Sequence, residues 1–289
     1  LNVFLVLPLV IIPLILMVLL GARKLSIGNS TRTWGAIAFN FSITMPVVLT
    51  AEIILFILLV VLMIVWLNTQ PLLLNQILSL SNLFSQENID TQAAEAIFTN
   101  LFTHPIVLNI SILVISLLVP LIEEFLKPMA LWFLAGKKLT PAQGFIGGLI
   151  AGACFAAIET MGSIGAPVDN TWYMILFGRI GTGLLHITLS GLVGWGIASA
   201  FYNRNWGRAI FNYFGAVLIH GTWNLFALLS GILPILPAQE GFSPLLLVLS
   251  QIGPYLLVVI AVLNLFILIR ANRRLQFETR QTSPLPAQS

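Results

Sequence analysis

The chain has 289 residues, of which 58% are hydrophobic and 8% charged. Soluble domains carry about 25% charged residues, so this composition excludes a soluble globule; the length suits about seven membrane helices at roughly 20 apolar residues per span. The net charge of +3 comes from basic residues scattered between apolar runs, which excludes a nucleic-acid surface. The single cysteine, Cys154, excludes an internal disulfide and a cysteine-rich metal site.

In chain order, the residues from Leu1 are apolar at once, without a basic leader or a cleavage site, and read as a first span. Apolar runs then predict helices over 2–20, 41–67, 106–135, 142–163, 172–201, 209–231 and 245–270. The fold class expected is therefore an all-α polytopic membrane bundle. Between the second and third spans lies the one sizeable loop, 68–103. Leu72, Leu73, Ile77, Leu80, Leu83 and Phe84 recur there at near-helical spacing, as in an amphipathic helix resting on the membrane surface. His104, before Pro105, falls at a membrane boundary. Pro120 and Pro128 bracket a Glu-Glu pair in the third span and predict a kinked or loosened helix. A single membrane domain is expected over 1–275, with a core at 106–231 and a disordered tail over 276–289.

Loop charge sets the expected orientation. Arg23, Lys24, Arg32, Lys137, Lys138, Arg204, Arg208, Arg270, Arg273, Arg274 and Arg280 fall in alternate loops and the C-terminus, whereas the other loops hold only acids such as Glu87, Asp90, Asp169 and Glu240. Positive-inside then places the C-terminus in the cytoplasm and the N-terminus outside the plasma membrane.

Four polar words interrupt the apolar spans: Glu123-Glu124-Phe125-Leu126-Lys127, Phe155-Ala156-Ala157-Ile158-Glu159, His186-Ile187-Thr188-Leu189-Ser190 and His220-Gly221-Thr222-Trp223-Asn224. Ionisable groups in a bilayer are costly and mark function. Adjacent glutamates point about 100° apart on a helix, and Lys127 stands within reach of both. An acid left over from such a pairing is a candidate general base. His186 with Ser190, and His220 with Asn224, share helix faces at four-residue spacing. Each imidazole suits a zinc ligand, a base or an oxyanion donor, and Asn224 suits an oxyanion donor. Arg179, two turns from His186, is expected to pair with Glu159 or Asp169. Gly144, Gly148, Gly152 and Ala156 form a close-packing face leading to Glu159. A rise of 1.5 Å per residue puts Glu123, His186 and His220 about 18–22 Å from the basic ends of their helices, with Glu159 about 22–26 Å. One layer thus accommodates all four.

In these words the chain resembles the PrsW family of intramembrane proteases, within the wider CAAX-protease and bacteriocin-processing superfamily. The resemblance runs over about 120–231, through Glu123-Glu124-x-x-Lys127, Phe155-Ala156-x-x-Glu159, His186-x-x-x-Ser190 and His220-x-x-Trp223-Asn224. CAAX endopeptidases usually carry histidine where this chain has Glu159, which turns the resemblance toward PrsW and away from prenylated substrates. It implies peptide-bond hydrolysis in membrane-associated protein or peptide substrates. With zinc, Glu159, His186 and His220 would be ligands and Glu123 or Glu124 the base. Without metal, a glutamate would activate water, and His220 with Asn224 would hold the oxyanion. The catalytic set expected is Glu123, Glu124, Glu159, His186, His220 and Asn224, supported by Lys127, Ser190 and Arg179. Two other readings fit intramembrane Glu, His and Lys: a proton-coupled transporter, and a silent scaffold resembling the Aph subunit of gamma-secretase.

Overall fold

The computed structural model describes residues 3–84, 97, 99–101, 104–135, 139–163, 172–232 and 243–282. These residues build helices and no strand. In order they are α1 (Val3–Gly21), α2 (Ser30–Phe39), a π-helical turn (Asn40–Thr44), α3 (Met45–Leu67), α4 (Pro71–Phe84), α5 (Pro105–Leu113), a second π-helical turn (Val114–Leu118), α6 (Val119–Leu126), α7 (Met129–Leu134), α8 (Pro141–Ser163), α9 (Trp172–Asn203), α10 (Trp206–Ile232) and α11 (Pro244–Thr282). Among the described residues, six helical stretches are long and apolar enough to cross a membrane, beginning with the continuous run Ser30–Leu67; α1 adds a shorter apolar helix, Leu7–Gly21. The protein is an all-α polytopic membrane bundle.

Local chemistry explains several boundaries. Gly28 adopts φ +82°, a left-handed conformation open to glycine without strain, in the turn before α2. The Asn29 side chain then caps α2 by accepting from the Thr31 N–H at 3.0 Å. His104 caps α5 by accepting from the Ile106 N–H at 3.3 Å, and its ring stands 5.0 Å from that of Trp66. The expected distortion around Pro120 takes the form of the π turn just before it. Proline has no N–H for a carbonyl one turn back, and the Ile115 carbonyl accepts instead from Asn224 Nδ2 at 3.0 Å. At Pro128 the helix breaks outright, leaving Lys127 at the turn between α6 and α7.

Two boundaries differ from the sequence expectation. The second span begins at Ser30, because α2, the π turn and α3 run on without a break. At the other end, α11 continues to Thr282, past residue 275, with Leu275 buried and the Thr279 hydroxyl bonded to the Leu275 carbonyl. Of the long loop expected over 68–103, Pro71–Phe84 is helical. Residues 85–96 and 283–289, and with them the middle of that loop and the end of the expected tail, lie outside the described residues.

The chain divides into two compact units. The first comprises 1–48, 120–220 and 257–289. Its centre is the α8–α9 pair. A Cβ added to Gly148 would meet the Ser190 carbonyl, one on Gly152 would meet the His186 carbonyl, and one on Gly144 would meet Ala198 and the Gly194 carbonyl. The glycine face is thus a contact surface on which two backbones touch. Around it, Val10 and Leu14 of α1, Phe145 and Leu149 of α8, Ile187 of α9 and Leu268 of α11 form one buried cluster. Asn272 ties α11 to the end of α1 by donating to the Gly21 and Arg23 carbonyls at 2.6 and 2.9 Å.

The second unit comprises 49–119 and 221–256. Leu229 is buried there among Leu108, Ile112, Leu225, Leu246, Leu247 and Leu249. Gly221 sits against the Ser116 carbonyl, and Gly253 against the Ser230 hydroxyl. Ile53, Ile54, Phe56 and Ile57 of α3 are exposed, as suits side chains that meet lipid.

Candidate active site

The site forms within the first unit, on α6, α8, α9 and the part of α10 that ends at His220. Glu123, Glu124, Lys127, His186 and His220 are all buried. Ligand-capable atoms of Glu123, Glu124, His186 and His220 lie within 4.8 Å of one another.

Lys127 stands at the hub. A helical side chain leans toward its helix N-terminus, so Lys127, closing α6, folds back over the two glutamates. Its Nζ lies 2.7 Å from Glu123 Oε2, 2.9 Å from Glu124 Oε1 and 2.9 Å from His186 Nδ1. The Phe155 ring covers it, centroid 4.1 Å away. Lysine pairs with both acids at once, and its three N–H donors have three acceptors. Phe155 drew notice in the sequence only as part of a word. Its role as a lid on the ammonium depends on the α8–α9 packing and had no separate signal.

These contacts orient both imidazoles and fix the proton position on His186. An ammonium only donates, so His186 Nδ1 accepts from Lys127, and His186 Nε2–H donates to Glu159 Oε2 at 3.0 Å. Arg179 Nη1 holds the other oxygen of Glu159 at 3.1 Å, which realises the ion pair expected for that arginine. His220 Nδ1–H donates to Glu124 Oε1 at 2.9 Å, and its Nε2 lies 3.9 Å from Glu123 Oε2. The two rings stand edge to face, 5.1 Å between centroids.

The structure therefore brings together Glu123, Glu124, His186 and His220. Glu159 joins them through the outer nitrogen of His186, on the side away from Lys127. Ser190 is fully buried one turn along from His186, and its hydroxyl has no hydrogen-bond partner among the described residues. Asn224, one turn beyond His220, spends one amide hydrogen on Ile115. Glu124 Oε2 is enclosed without a hydrogen-bond partner among the described residues.

The donor chemistry fits a zinc-like ion. As neutral rings, both imidazoles would turn a lone pair inward while giving the other N–H to a carboxylate, the arrangement that orients metal-bound histidines. A carboxylate completes a three-ligand set of the catalytic kind. The ammonium of Lys127 lies among the same atoms, so an ion would compete with it for them.

Fold and site together define a polytopic membrane protein with a buried carboxylate–imidazole centre. The model of the PrsW family intramembrane metalloprotease matches residues 33–263, and the chain belongs to that family. It is an intramembrane protease, a multi-pass membrane hydrolase acting on membrane-associated substrates. No curated protein and no solved structure matches it. The matched region takes in α3 and α4, well outside the four words on which the sequence resemblance rested.

Proposed function

We propose that this protein is a metal-dependent intramembrane endopeptidase in which Glu123, His186 Nδ1 and His220 Nε2 hold the ion and Glu124 is the general base. The observation that carries this reading is the pair of imidazoles whose inward nitrogens cluster with Glu123, each ring backed by its own carboxylate, Glu159 behind His186 and Glu124 behind His220. An oxyanion calls for N–H donors in those positions, and lone pairs suit an ion. Zinc, when bound, would supply a more acidic water and polarise the scissile carbonyl.

The chain's own residues do the remaining work. Glu124 Oε2, otherwise partnerless, accepts a proton from water. The water oxygen bonds to the carbonyl carbon, and the carbonyl electron pair moves onto its oxygen. That electron pair then returns, the C–N bond breaks, and Glu124 delivers its proton to the departing amine nitrogen. The products are a carboxylic acid, which keeps the second water proton until it ionises, and a free amine. Arg179 and Glu159 keep the His186 tautomer fixed throughout. The C-terminus is cytoplasmic and the N-terminus outside the plasma membrane in this reading, supported by the placement of loop arginines and lysines.

Two variants separate the roles of the adjacent acids. Purified Glu124→Gln should still bind zinc, about 10–100-fold more weakly for loss of the partner of His220, and when zinc-saturated should lose peptide hydrolysis by at least about 100-fold, the usual contribution of a positioned base. Glu123→Gln should lose both zinc and hydrolysis. Elemental analysis beside cleavage of a transmembrane peptide reads both. Full hydrolysis by thoroughly demetallated wild-type protein would overturn the metal-dependent reading.

A further inference from the structure

A second site lies on the first unit, away from the buried acids. A cleft of about 640 Å³ opens between α9, α10 and α11. Its mouth carries Arg208, Arg270 and Arg274, and its depth is apolar, with Phe211 and Ile219 on α10 facing Ile267 on α11. The gradient follows from helix geometry. Arg208, Phe211, Gly215 and Ile219 are spaced three to four residues apart and share one face of α10. At 1.5 Å per residue that face runs about 16 Å from the guanidinium into the apolar layer. Ile267 and Arg270 are i, i+3 on α11, so its wall passes from apolar to basic toward the same mouth.

The charge at the mouth is unbalanced. Arg208 Nη2 and Arg274 Nε both reach Glu278 Oε1, at 3.5 and 3.2 Å, and so divide one carboxylate between them. The two guanidinium groups stack over Trp195 at 4.8 and 5.5 Å from its centroid, which holds them in place without neutralising them. Arg270 is exposed and makes no hydrogen bond or ion pair among the described residues. Three cations thus share one acid at the edge of a greasy cleft, and Phe211 is 78% exposed along it.

We propose that this cleft binds one anionic glycerophospholipid, with the headgroup phosphate at Arg270 and Arg274 and an acyl chain along Phe211 and Ile219. A phosphate matches the forked donors of arginine. The acyl chain matches the length and polarity of the wall, and basic pockets at the ends of membrane helices are suited to such headgroups. A free anion would satisfy the arginines and leave the apolar wall uncovered, and a zwitterionic lipid would bring its own cation to three others.

The full chain, purified in detergent, is titrated with phosphatidylglycerol, phosphatidylcholine or inorganic phosphate. Thermal unfolding and intact-complex mass spectrometry are followed. Phosphatidylglycerol should raise the unfolding temperature and remain as a single adduct, whereas phosphatidylcholine and phosphate should do neither. Arg270→Gln should weaken the phosphatidylglycerol effect roughly five-fold, and Arg270→Gln with Arg274→Gln more than either alone. Equal responses to both lipids would overturn the proposal, as would an unaltered response in the double variant. A full response to phosphate alone would assign the arginines to a small anion and remove the lipid. None of these readouts involves proteolysis, so the outcome stands apart from the assignment of the acids.

Discussion

Lys127 shows how one side chain governs a buried centre. Two adjacent carboxylates in an apolar interior repel each other, and the ammonium between them offsets that repulsion while orienting His186. Removing one partner of a buried ion pair costs about 3–5 kcal/mol, because the other charge stays behind unpaired. Lys127→Met should therefore unfold at markedly lower temperature in chelator and recover with added zinc, since the ion then has the cluster without a competitor. Failure of zinc to restore stability would show that the acids and imidazoles do not form an ion site. Glu159 gives a second test at this scale. It reaches the centre only through His186 Nε2, so Glu159→Gln should weaken zinc binding about 10–100-fold, as loss of an orienting partner does, in a competition titration with a chelating dye. Abolished binding would instead make Glu159 a ligand.

At the scale of elements, the contact between α8 and α9 places His186. The glycines of α8 bring the two backbones together, with Gly152 level with the His186 carbonyl and Gly144 level with Ala198, farther along α9. Gly152→Val should force the helices apart there, costing about 1–3 kcal/mol as overpacking does, and should lower zinc affinity because His186 moves with its backbone. Gly144→Val should cost similar stability and leave zinc affinity nearly unchanged. Equal effects of the two on zinc would mean that close approach at Gly152 has no special bearing on the site. These glycines were legible from their four-residue spacing, and the packing reading of them is what the structure shows. Their partner helix was not legible, because a small-residue stripe says how near a neighbour may come and nothing of which neighbour it is. Pro120 is similar: a distortion was readable from proline chemistry, but the register change to a π turn and the pairing of Ile115 with Asn224 need residues more than a hundred positions apart.

For the whole molecule, the orientation is testable. In a protein whose buried Cys154 is replaced by alanine, single cysteines at Arg204 and Arg273 should react only with reagents that enter the cytoplasm. Labelling of either from outside would reverse the topology inferred from loop charge.

Transfer to a bilayer is a property of short stretches, summed residue by residue, so the helices, their apolar character and the four polar words could be read along the chain. The depth of each polar group followed too, because helix rise is constant. Rotation of each helix about its own axis is different, for it depends on contacts among distant segments. Folding alone put Lys127 between both acids and His186, set Glu159 on the outer nitrogen of His186, and committed one hydrogen of Asn224 to Ile115. Those choices arise where helices meet.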